Sequence, residues 1–248
     1  MLSKNQQKLL RQLGQKKYRK QQRQFLVQGA KNVQELLQSE HPVAQLYASA
    51  DFIAEHSKYI TARLDSRDVH HCDEAELSKV STLVTNNDAI AVAPIAESTL
   101  DDTPWQLALD GVGDPGNLGT IIRLADWYGF SQVLLSDNCA DPTNPKVISA
   151  SMGSFTRVSC HHVDLPAYLA NTDKPVYGAF LGGSNLHTTE FAEQGILVMG
   201  SESHGISEPV AEHVSERITI LGYGGAESLN VAIASGIILD NIKRCCGA

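Results

Sequence analysis

Short apolar runs alternate with amphipathic stretches in the first third of the chain. Leucines spaced among polar residues predict a basic amphipathic helix over about 3–15, and Phe25-Leu-Val predicts a short strand. The same pattern predicts helices over 29–37 and 74–80, and strands over 43–48 and 89–93. Alternating elements of this kind are typical of an α/β domain.

From Trp105 onward the apolar runs are stronger and more regular. They lie at 105–109, 131–135, 175–181, 195–199 and 216–221. These runs are rich in valine, isoleucine and leucine and are separated by helical stretches, which predicts a parallel sheet covered by helices on both faces. A final helix, apolar until Asp240, is expected from Ser228 to about Cys245.

The two patterned regions are separated by polar residues 95–104, which end in Pro104. We therefore expect two α/β domains, 1–97 and 105–248, joined by a linker at 98–104. With 248 residues, of which 42% are hydrophobic and 19% charged, the chain is long enough to bury a sizeable core in such domains.

Composition excludes several classes of protein. No stretch approaches the roughly 18 uncharged apolar residues of a membrane-spanning helix, and no apolar run follows the N-terminus as in a signal peptide. The five cysteines are odd in number and lack Cys-x-x-Cys spacing, which argues against a disulfide framework or a thiolate metal site. We expect a soluble cytoplasmic protein with no metal and no membrane partner.

Charge is distributed unevenly along the chain. The formal net charge is −8, yet residues 1–34 contain nine lysines and arginines and no acidic residue. Such asymmetry predicts that one basic face meets a polyanion while the acidic remainder keeps the protein dispersed. The alternatives are a solvated basic helix without a partner, or an organelle transit segment.

Three loops lie where the predicted parallel strands end, which is where α/β sheets bind ligands. They span residues 110–119, 200–205 and 221–230. Glycines in these loops allow a ligand to approach the backbone closely. Ser228 and Asn230 also suit the start of the last helix, so they could be helix caps alone, and Glu202 could be a surface acid alone.

The first loop allows a second interpretation. Gly111, Gly113 and Gly116 satisfy G-x-G-x-x-G between a strand and a helix, and Asp137 lies 21 residues further on. This spacing predicts a dinucleotide-dependent oxidoreductase. Against it, Pro115 stiffens the turn, and Asn117 resembles a helix N-cap, which would place Gly116 before the helix.

The combination of three segments carries a stronger signal. Their sequences are Asn117-Leu-Gly-Thr-Ile-Ile-Arg123, Val198-Met-Gly-Ser-Glu-Ser-His-Gly-Ile-Ser207 and Ser228-Leu-Asn-Val-Ala-Ile-Ala234. In order and spacing they resemble the three motifs of the SpoU-type RNA ribose 2′-O-methyltransferases, a likeness that covers about residues 105–245. Residues 145–153 resemble the family's segment between its first two motifs. One departure is that the family usually has Ile-Pro-Met before the third loop, where this chain has Ile220-Leu-Gly222.

This resemblance implies a C-terminal domain with a deep trefoil knot that binds S-adenosylmethionine. By position, the cofactor would contact Leu181, Gly200, Ile220 and Leu229. The N-terminal part resembles the family's small substrate-binding domain, which is related to the ribosomal protein L30e fold. The resemblance also implies a homodimer packed through the knotted domain.

Catalytic roles follow from the same resemblance. Arg123 matches the family arginine held responsible for the ribose hydroxyl. Because a guanidinium is effectively never deprotonated in proteins, we expect Arg123 to bind phosphate and stabilise the developing alkoxide. Asn117, Glu202, Ser228 and Asn230 would hold Arg123, the cofactor loop and the ribose in register.

The substrate follows from the chemistry, because only RNA offers a 2′-hydroxyl. The basic segment would then contact RNA, with Lys16, Lys17, Arg19, Lys20 and Arg23 as the candidate residues. The N-terminal domain resembles that of ribosomal RNA enzymes, and this resemblance favours ribosomal RNA of the 23S type, with transfer RNA as the alternative. Two further alternatives are the oxidoreductase and a catalytically silent RNA-binding protein.

Overall fold

The computed structural model describes residues 2–83, 86 and 88–246. The chain divides into two compact units. The first unit contains Met1–Ser98 and Asp141–Arg157, and the second contains Thr99–Ala140 and Val158–Ala248. In the described part of the chain no helix is both long and apolar enough to cross a membrane.

Helices and strands alternate through both units. The helices are Lys4–Leu13 (α1), Lys16–Gln22 (α2), Ala30–Gln38 (α3), Ala50–Glu55 (α4), Ser57–Arg63 (α5), Glu74–Val80 (α6), Pro115–Trp127 (α7), Pro145–Ser151 (α8), Leu165–Ala170 (α9), Glu208–Ala211 (α10) and Val231–Cys246 (α11). The strands are Gln24–Gln28 (β1), Gln45–Ala48 (β2), Val69–His71 (β3), Ala89–Pro94 (β4), Trp105–Asp110 (β5), Gln132–Leu135 (β6), Ser159–His162 (β7), Val176–Asn185 (β8), Gly195–Gly200 (β9) and Glu216–Thr219 (β10).

A mixed sheet of order β1-β4-β2-β3 forms the centre of the first unit. Successive residues of its strands enter different hydrophobic cores, as the two-residue period of a strand requires. Phe25 and Val27 join one core with α3, whereas Leu26 joins the other with Leu10 of α1 and Leu77 of α6. The unit is therefore an α/β domain with a helical layer on each face.

Residues 141–157 pack in the first unit although they come late in the chain. Helix α8 contacts β1, and Ile148 is buried in the core that contains Phe25. Arg157 of the same segment donates to Glu35 of α3 at 2.8 Å. The predicted C-terminal domain included this segment, and here the structure differs, because apolar side chains of the segment complete the first unit's core.

The second unit is built on a six-stranded sheet of order β10-β8-β9-β5-β6-β7. Every neighbouring pair is parallel, so the predicted α/β fold with a parallel sheet is confirmed. Helices α9 and α10 pack on one face, where Ala108, Ile196 and Val198 are buried. Helices α7 and α11 contact each other, and they contact β6 and β9 respectively.

Several element boundaries differ from the predicted ones. Helix α1 ends at Leu13, and a separate helix α2 follows it. Helix α11 begins at Val231 instead of Ser228, and β10 ends at Thr219. The trefoil knot stays a prediction from the resemblance.

Candidate active site at the carboxyl edge of the parallel sheet

Strand register places the first two glycine loops side by side. Asp110, the last residue of β5, lies opposite Gly200, the last residue of β9. The buried carboxylate of Asp110 accepts a hydrogen bond from the backbone N–H of Ser207 at 2.7 Å. This bond joins the end of β5 to the far side of the loop after β9.

Helix α7 begins earlier than the sequence suggested. Asp114 is its N-cap, Pro115 occupies the first turn, and the Asp114 carboxylate accepts from the N–H of Asn117 at 2.8 Å. The prediction that Asn117 caps the helix is therefore wrong, and Gly116 lies inside the first turn. Because Asp114 caps the backbone, the side chain of Asn117 is free to contact other loops.

Three polar side chains, one from each loop motif, form a continuous hydrogen-bonded relay. Asn230 Nδ2 donates to Asn117 Oδ1 at 3.0 Å, and Asn117 Nδ2 in turn donates to a carboxylate oxygen of Glu202. Asn230 Oδ1 accepts from the N–H groups of Ala232 and Ile233 at 3.0 and 3.3 Å, which caps α11. We call Asn117, Glu202 and Asn230 the relay.

The direction of every hydrogen bond in the relay follows from its two ends. Backbone N–H groups can only donate, so Asn230 must present its oxygen to α11 and its NH₂ to Asn117. A carboxylate can only accept, so Asn117 must present its NH₂ to Glu202. The amide dipoles therefore all point the same way, from the positive N-terminus of α11 toward the negative charge of Glu202.

The second loop has a fixed backbone of its own. Ser201 and Gly205 exchange two backbone hydrogen bonds of 3.0 and 2.9 Å. A Cβ on Gly200 would lie 2.1 Å from the carbonyl carbon of Gly205, so only glycine fits there. Gly205 has a φ of 68°, which also favours glycine.

The third loop is open in contrast. Within the described chain, residues 221–229 form no hydrogen bond, and all of them are exposed. Gly222, Gly224 and Gly225 have nothing within 4 Å of a built Cβ. Main-chain N–H and C=O groups of this loop are thus available to a ligand.

The predicted cofactor residues differ in exposure. Residues 179–183 of β8 have no register partner on β10, because the pairing jumps from Gly178 opposite Arg217 to Ser184 opposite Ile218. This bulge leaves Leu181 80% exposed. Leu229 is exposed as well, and Ile220 is half-buried.

Arg123 and Ser228 do not join the relay. Arg123 is exposed on α7, and among the described residues it makes no hydrogen bond or ion pair. Ser228 is exposed in the third loop, three residues before α11. The structure thus brings together three of the five predicted catalytic residues and leaves a free guanidinium on the motif helix.

The basic residues predicted to contact RNA divide into two groups. Lys16, Lys17 and Lys20 are exposed on α2, and Arg23 is exposed with an ion pair to Glu97 at 2.8 Å. Arg19 is different, because only 2% of it is exposed. The prediction of Arg19 as an RNA contact is therefore corrected.

The guanidinium of Arg19 is saturated by acceptors within the first unit. It donates to the Leu13 and Gly14 carbonyls at 3.1 and 3.0 Å, to Thr143 at 3.2 Å and to Asp141 at 2.6 Å. Burial alone would raise the pKa of Asp141, but hydrogen bonds from Arg19 and Thr143 hold that pKa below its ordinary value. Nothing in the sequence near Arg19 signals this partner, which is more than 100 residues away.

Comparison with known proteins agrees with this geometry. Residues 104–240 match the model of the SpoU rRNA Methylase family, and residues 4–91 match the MRM3-like substrate binding domain. The chain belongs to the SpoU rRNA methylase family. It is 31% identical over 233 residues to the 23S rRNA (guanosine(2553)-2′-O)-methyltransferase RlmP of Bacillus subtilis, covering 92% of each chain.

Solved structures show the same fold over almost the whole chain. A putative RNA methyltransferase of the TrmH family from Porphyromonas gingivalis is 39% identical, with a TM-score of 0.86 and coverage of 98% of this chain and 99% of that one. An AdoMet-bound rRNA methyltransferase from Sinorhizobium meliloti is 28% identical, with a TM-score of 0.86 and coverage of 98% and 96%. Family membership favours the methyltransferase interpretation over the dinucleotide-dependent oxidoreductase.

Proposed function

We propose that this protein transfers a methyl group from S-adenosylmethionine to a ribose 2′-hydroxyl of RNA, and that the RNA is ribosomal. The relay carries the proposal, because it joins all three motif loops at the carboxyl edge of the parallel sheet. Likeness to rRNA methyltransferases over more than nine-tenths of the chain supports ribosomal RNA as the substrate.

The open loops fit S-adenosylmethionine, whose recognition needs main-chain hydrogen bonds and an apolar surface. Free backbone groups of 221–229 would bind its polar parts, and Gly200 and Ile220 would border it. Leu181 and Leu229 are exposed and would become buried when they pack on the apolar parts of the cofactor. When bound, the cofactor supplies an electrophilic methyl group on sulfonium sulfur.

Arg123 acts on the substrate as a cation. Its guanidinium has no internal partner in the described chain, so a phosphate or a developing alkoxide can take its N–H donors. We assign it electrostatic stabilisation of the ribose oxygen as that oxygen gives its proton to solvent water, to which Arg123 and the third loop are exposed. A guanidinium itself keeps its protons near neutral pH.

The remaining predicted residues position this chemistry. Asn117, Glu202 and Asn230 hold the three loops at fixed separations through directional hydrogen bonds. Ser228 lies in the open loop. Its hydroxyl would contact the target ribose or other residues of this same loop. The relay is thus a scaffold for the site, and Arg123 supplies the positive charge that acts on the substrate.

We further infer a homodimer that forms through α7 and α11. A groove of about 590 Å³ runs along these helices and is lined by Leu124, Ile233, Gly236 and Ile237, among others. Ile233 is 57% exposed, whereas the other isoleucines of α11 are buried or half-buried, which suits contact with a second copy. Sedimentation of the wild-type protein and of Ile233→Asp tests this, and a monomeric wild type would contradict it.

We infer a cytoplasmic location, because the proposed substrate, rRNA, is a component of ribosomes. The cysteines Cys72, Cys139, Cys160, Cys245 and Cys246 are all free thiols, which suits a reducing compartment. Fractionation of cells that express the tagged protein tests this location.

The function is tested by methyl transfer in vitro. Purified protein is incubated with radiolabelled S-adenosylmethionine and, in separate reactions, with 23S-type rRNA and total tRNA. We expect label in rRNA at a ribose, mapped as protection of one linkage against alkaline cleavage, and no label in 2′-deoxy oligonucleotides. Labelling of tRNA alone would show that the substrate is tRNA and not rRNA. No labelling of any RNA would refute the activity.

A further inference from the structure

A groove between α1 and α2 is lined by basic and amide side chains and one aromatic ring. Its volume is about 380 Å³. The lining residues are Lys4, Gln7, Lys8, Arg11, Gln12, Gln15 and Tyr18. This lining, taken over the residues that the structure describes, holds three cationic groups and no carboxylate.

The cations form a row because of helical spacing. Lys4, Lys8 and Arg11 are separated by four and three residues, so they lie on one face of α1 over roughly 10 Å of its length. The opposite face is anchored in the core by Leu10 and Leu13, which are fully buried. All three cations are exposed, and Arg11 uses only one of its N–H groups on the carbonyl of Lys79.

The groove is held in shape from beneath. Arg19 of α2 donates to the Leu13 and Gly14 carbonyls at the end of α1, which fixes the two helices relative to each other. Its charge is neutralised by Asp141, so Arg19 shapes the groove without adding to its field. A ligand would therefore find the row of cations already arranged.

Tyr18 gives the groove an aromatic surface. Its ring is half-buried, and the ammonium of Lys17 lies 5.9 Å from its centroid. An aromatic ring beside a row of cations is the combination that binds single-stranded nucleic acid, because phosphates meet the cations and a base stacks on the ring. Glutamine amides, which both donate and accept, suit the edges of bases.

We propose that this groove seats a single-stranded segment of the RNA substrate, with phosphates on Lys4, Lys8 and Arg11 and one base on Tyr18. The inference rests on the proposed function and adds the docking site for its substrate. It differs from the sequence prediction, which placed the RNA contacts between residues 16 and 23. An acidic protein segment would satisfy the cations and the amides but would leave the ring of Tyr18 without a stacking partner.

A charge-matched pair of variants tests the groove in the full-length protein. The first is Lys4→Gln, Lys8→Gln, Arg11→Gln, and the second is Lys16→Gln, Lys20→Gln, Arg23→Gln, which removes equal charge from α2 and its C-cap, outside the groove lining. Binding of a labelled single-stranded RNA of about 12 nucleotides is followed by fluorescence anisotropy between about 50 and 200 mM salt. Losing three phosphate contacts should lower the salt slope by about 2 in the groove variant.

The control variant should lose less affinity and keep most of its slope, because it weakens only the long-range field. Equal losses in the two variants would overturn the proposal, and so would a groove variant that binds like the wild type. An oligoglutamate peptide labelled in the same way should bind far more weakly than the RNA. Peptide binding as tight as RNA binding would assign the groove to an acidic protein instead.

Variants of Tyr18 distinguish the contribution of base stacking to RNA affinity from the contribution of the cations. Tyr18→Phe should bind the RNA like the wild type, whereas Tyr18→Leu should lose about tenfold in affinity. Circular dichroism confirms that α1 and α2 remain folded in both. Equal affinity in the two variants would remove the stacked base from the proposal.

Failure of the groove and failure of the proposed function give different results. A groove variant that keeps wild-type affinity, in a protein that methylates rRNA, would refute the groove alone. Loss of RNA affinity in the groove variant, in a protein that methylates no RNA, would refute the activity alone. Calorimetric titration with S-adenosylmethionine should give the same affinity for the wild type and for the groove variant.

Discussion

Two arginines for which the sequence predicts contact with the substrate have opposite environments in the structure. Arg19 is 2% exposed and donates to four different residues of the first unit. Arg123 of the second unit is exposed and, within the described chain, has no internal partner. The guanidinium of Arg19 stabilises the first unit, whereas the guanidinium of Arg123 remains available to a substrate. Charge alone therefore does not identify a binding residue, because the same charged group can be buried with internal partners or exposed without them.

Removing Arg19 should have the largest effect on stability. Arg19→Ala leaves the Asp141 carboxylate unpaired and the end of α1 without donors, which should lower the free energy of unfolding by about 3–5 kcal/mol. Urea unfolding followed by circular dichroism measures this. Arg123→Ala is the matched control and should unfold like the wild type. A stable Arg19→Ala protein would contradict the architectural role of Arg19.

Removing Arg123 should have the largest effect on catalysis. Arg123→Ala should lower kcat by about 10²- to 10³-fold, as expected when one fixed donor to a developing oxyanion is lost. The affinity for S-adenosylmethionine should stay unchanged, which calorimetry checks. Arg123→Lys keeps the charge but loses the planar fork, so it should recover only part of the rate. Unchanged methyl transfer in Arg123→Ala would exclude Arg123 from the mechanism.

Breaking the relay should have an intermediate effect. Asn117→Ala removes the bridge between Glu202 and Asn230, and the lost hydrogen bonds should weaken S-adenosylmethionine binding about tenfold. Thr120→Ala on the same helix is the control and should bind normally. Glu202→Gln still accepts from Asn117, so it should lie close to the wild type if the relay only positions the loops. A large loss in Glu202→Gln would instead show that its charge is used.

Low pH should weaken the ion pair between Arg19 and Asp141. Hydrogen bonds hold the pKa of Asp141 below its ordinary value of 3.8 despite burial, so the stability from this carboxylate is fully present above that value. As pH falls through the lowered pKa, the carboxylate is protonated and this stability is lost. Asp141→Asn should therefore flatten the pH dependence of the unfolding midpoint below about pH 4. An unchanged acid profile would exclude Asp141 as its source.

Removing Arg23 should have the smallest effect. The Arg23–Glu97 pair is exposed on both sides, with 62% and 86% of the side chains accessible, so solvent screens it strongly. Arg23→Gln should change the free energy of unfolding by no more than about 0.5 kcal/mol. A loss as large as that of Arg19→Ala would mean that exposure is a poor guide to the role of these arginines.

Periodicity and motif order settled much of the fold in advance. The runs at 105–109, 131–135 and 195–199 predicted strands β5, β6 and β9, because a parallel sheet buries both faces of its central strands. Local spacing also identified the three loops, since each follows a strand. Short or polar elements carry too weak a pattern to be predicted, such as β7, whose sequence is Ser-Cys-His-His.

Side-chain partnerships across long separations were beyond local pattern. Asn117 was expected to cap α7, but Asp114 does so and frees Asn117 for the relay. The cap was ambiguous because aspartate and asparagine both serve well at an N-cap position. Only the packing of β5 beside β9, with α11 nearby, shows that Asn117 bridges two other loops.

The sequence by itself determined the α/β class, the parallel sheet, the position of the three glycine-containing loops and the basic character of the N-terminus. These properties follow from hydrophobic period, turn residues and charge, which act between near neighbours in the chain. Tertiary structure alone decided that Arg19 is buried against Asp141, that residues 141–157 complete the first core, and that the exposed cations of α1 line a groove. The reason is that burial and hydrogen bonding join residues that are distant in sequence, so their outcome depends on how the whole chain packs.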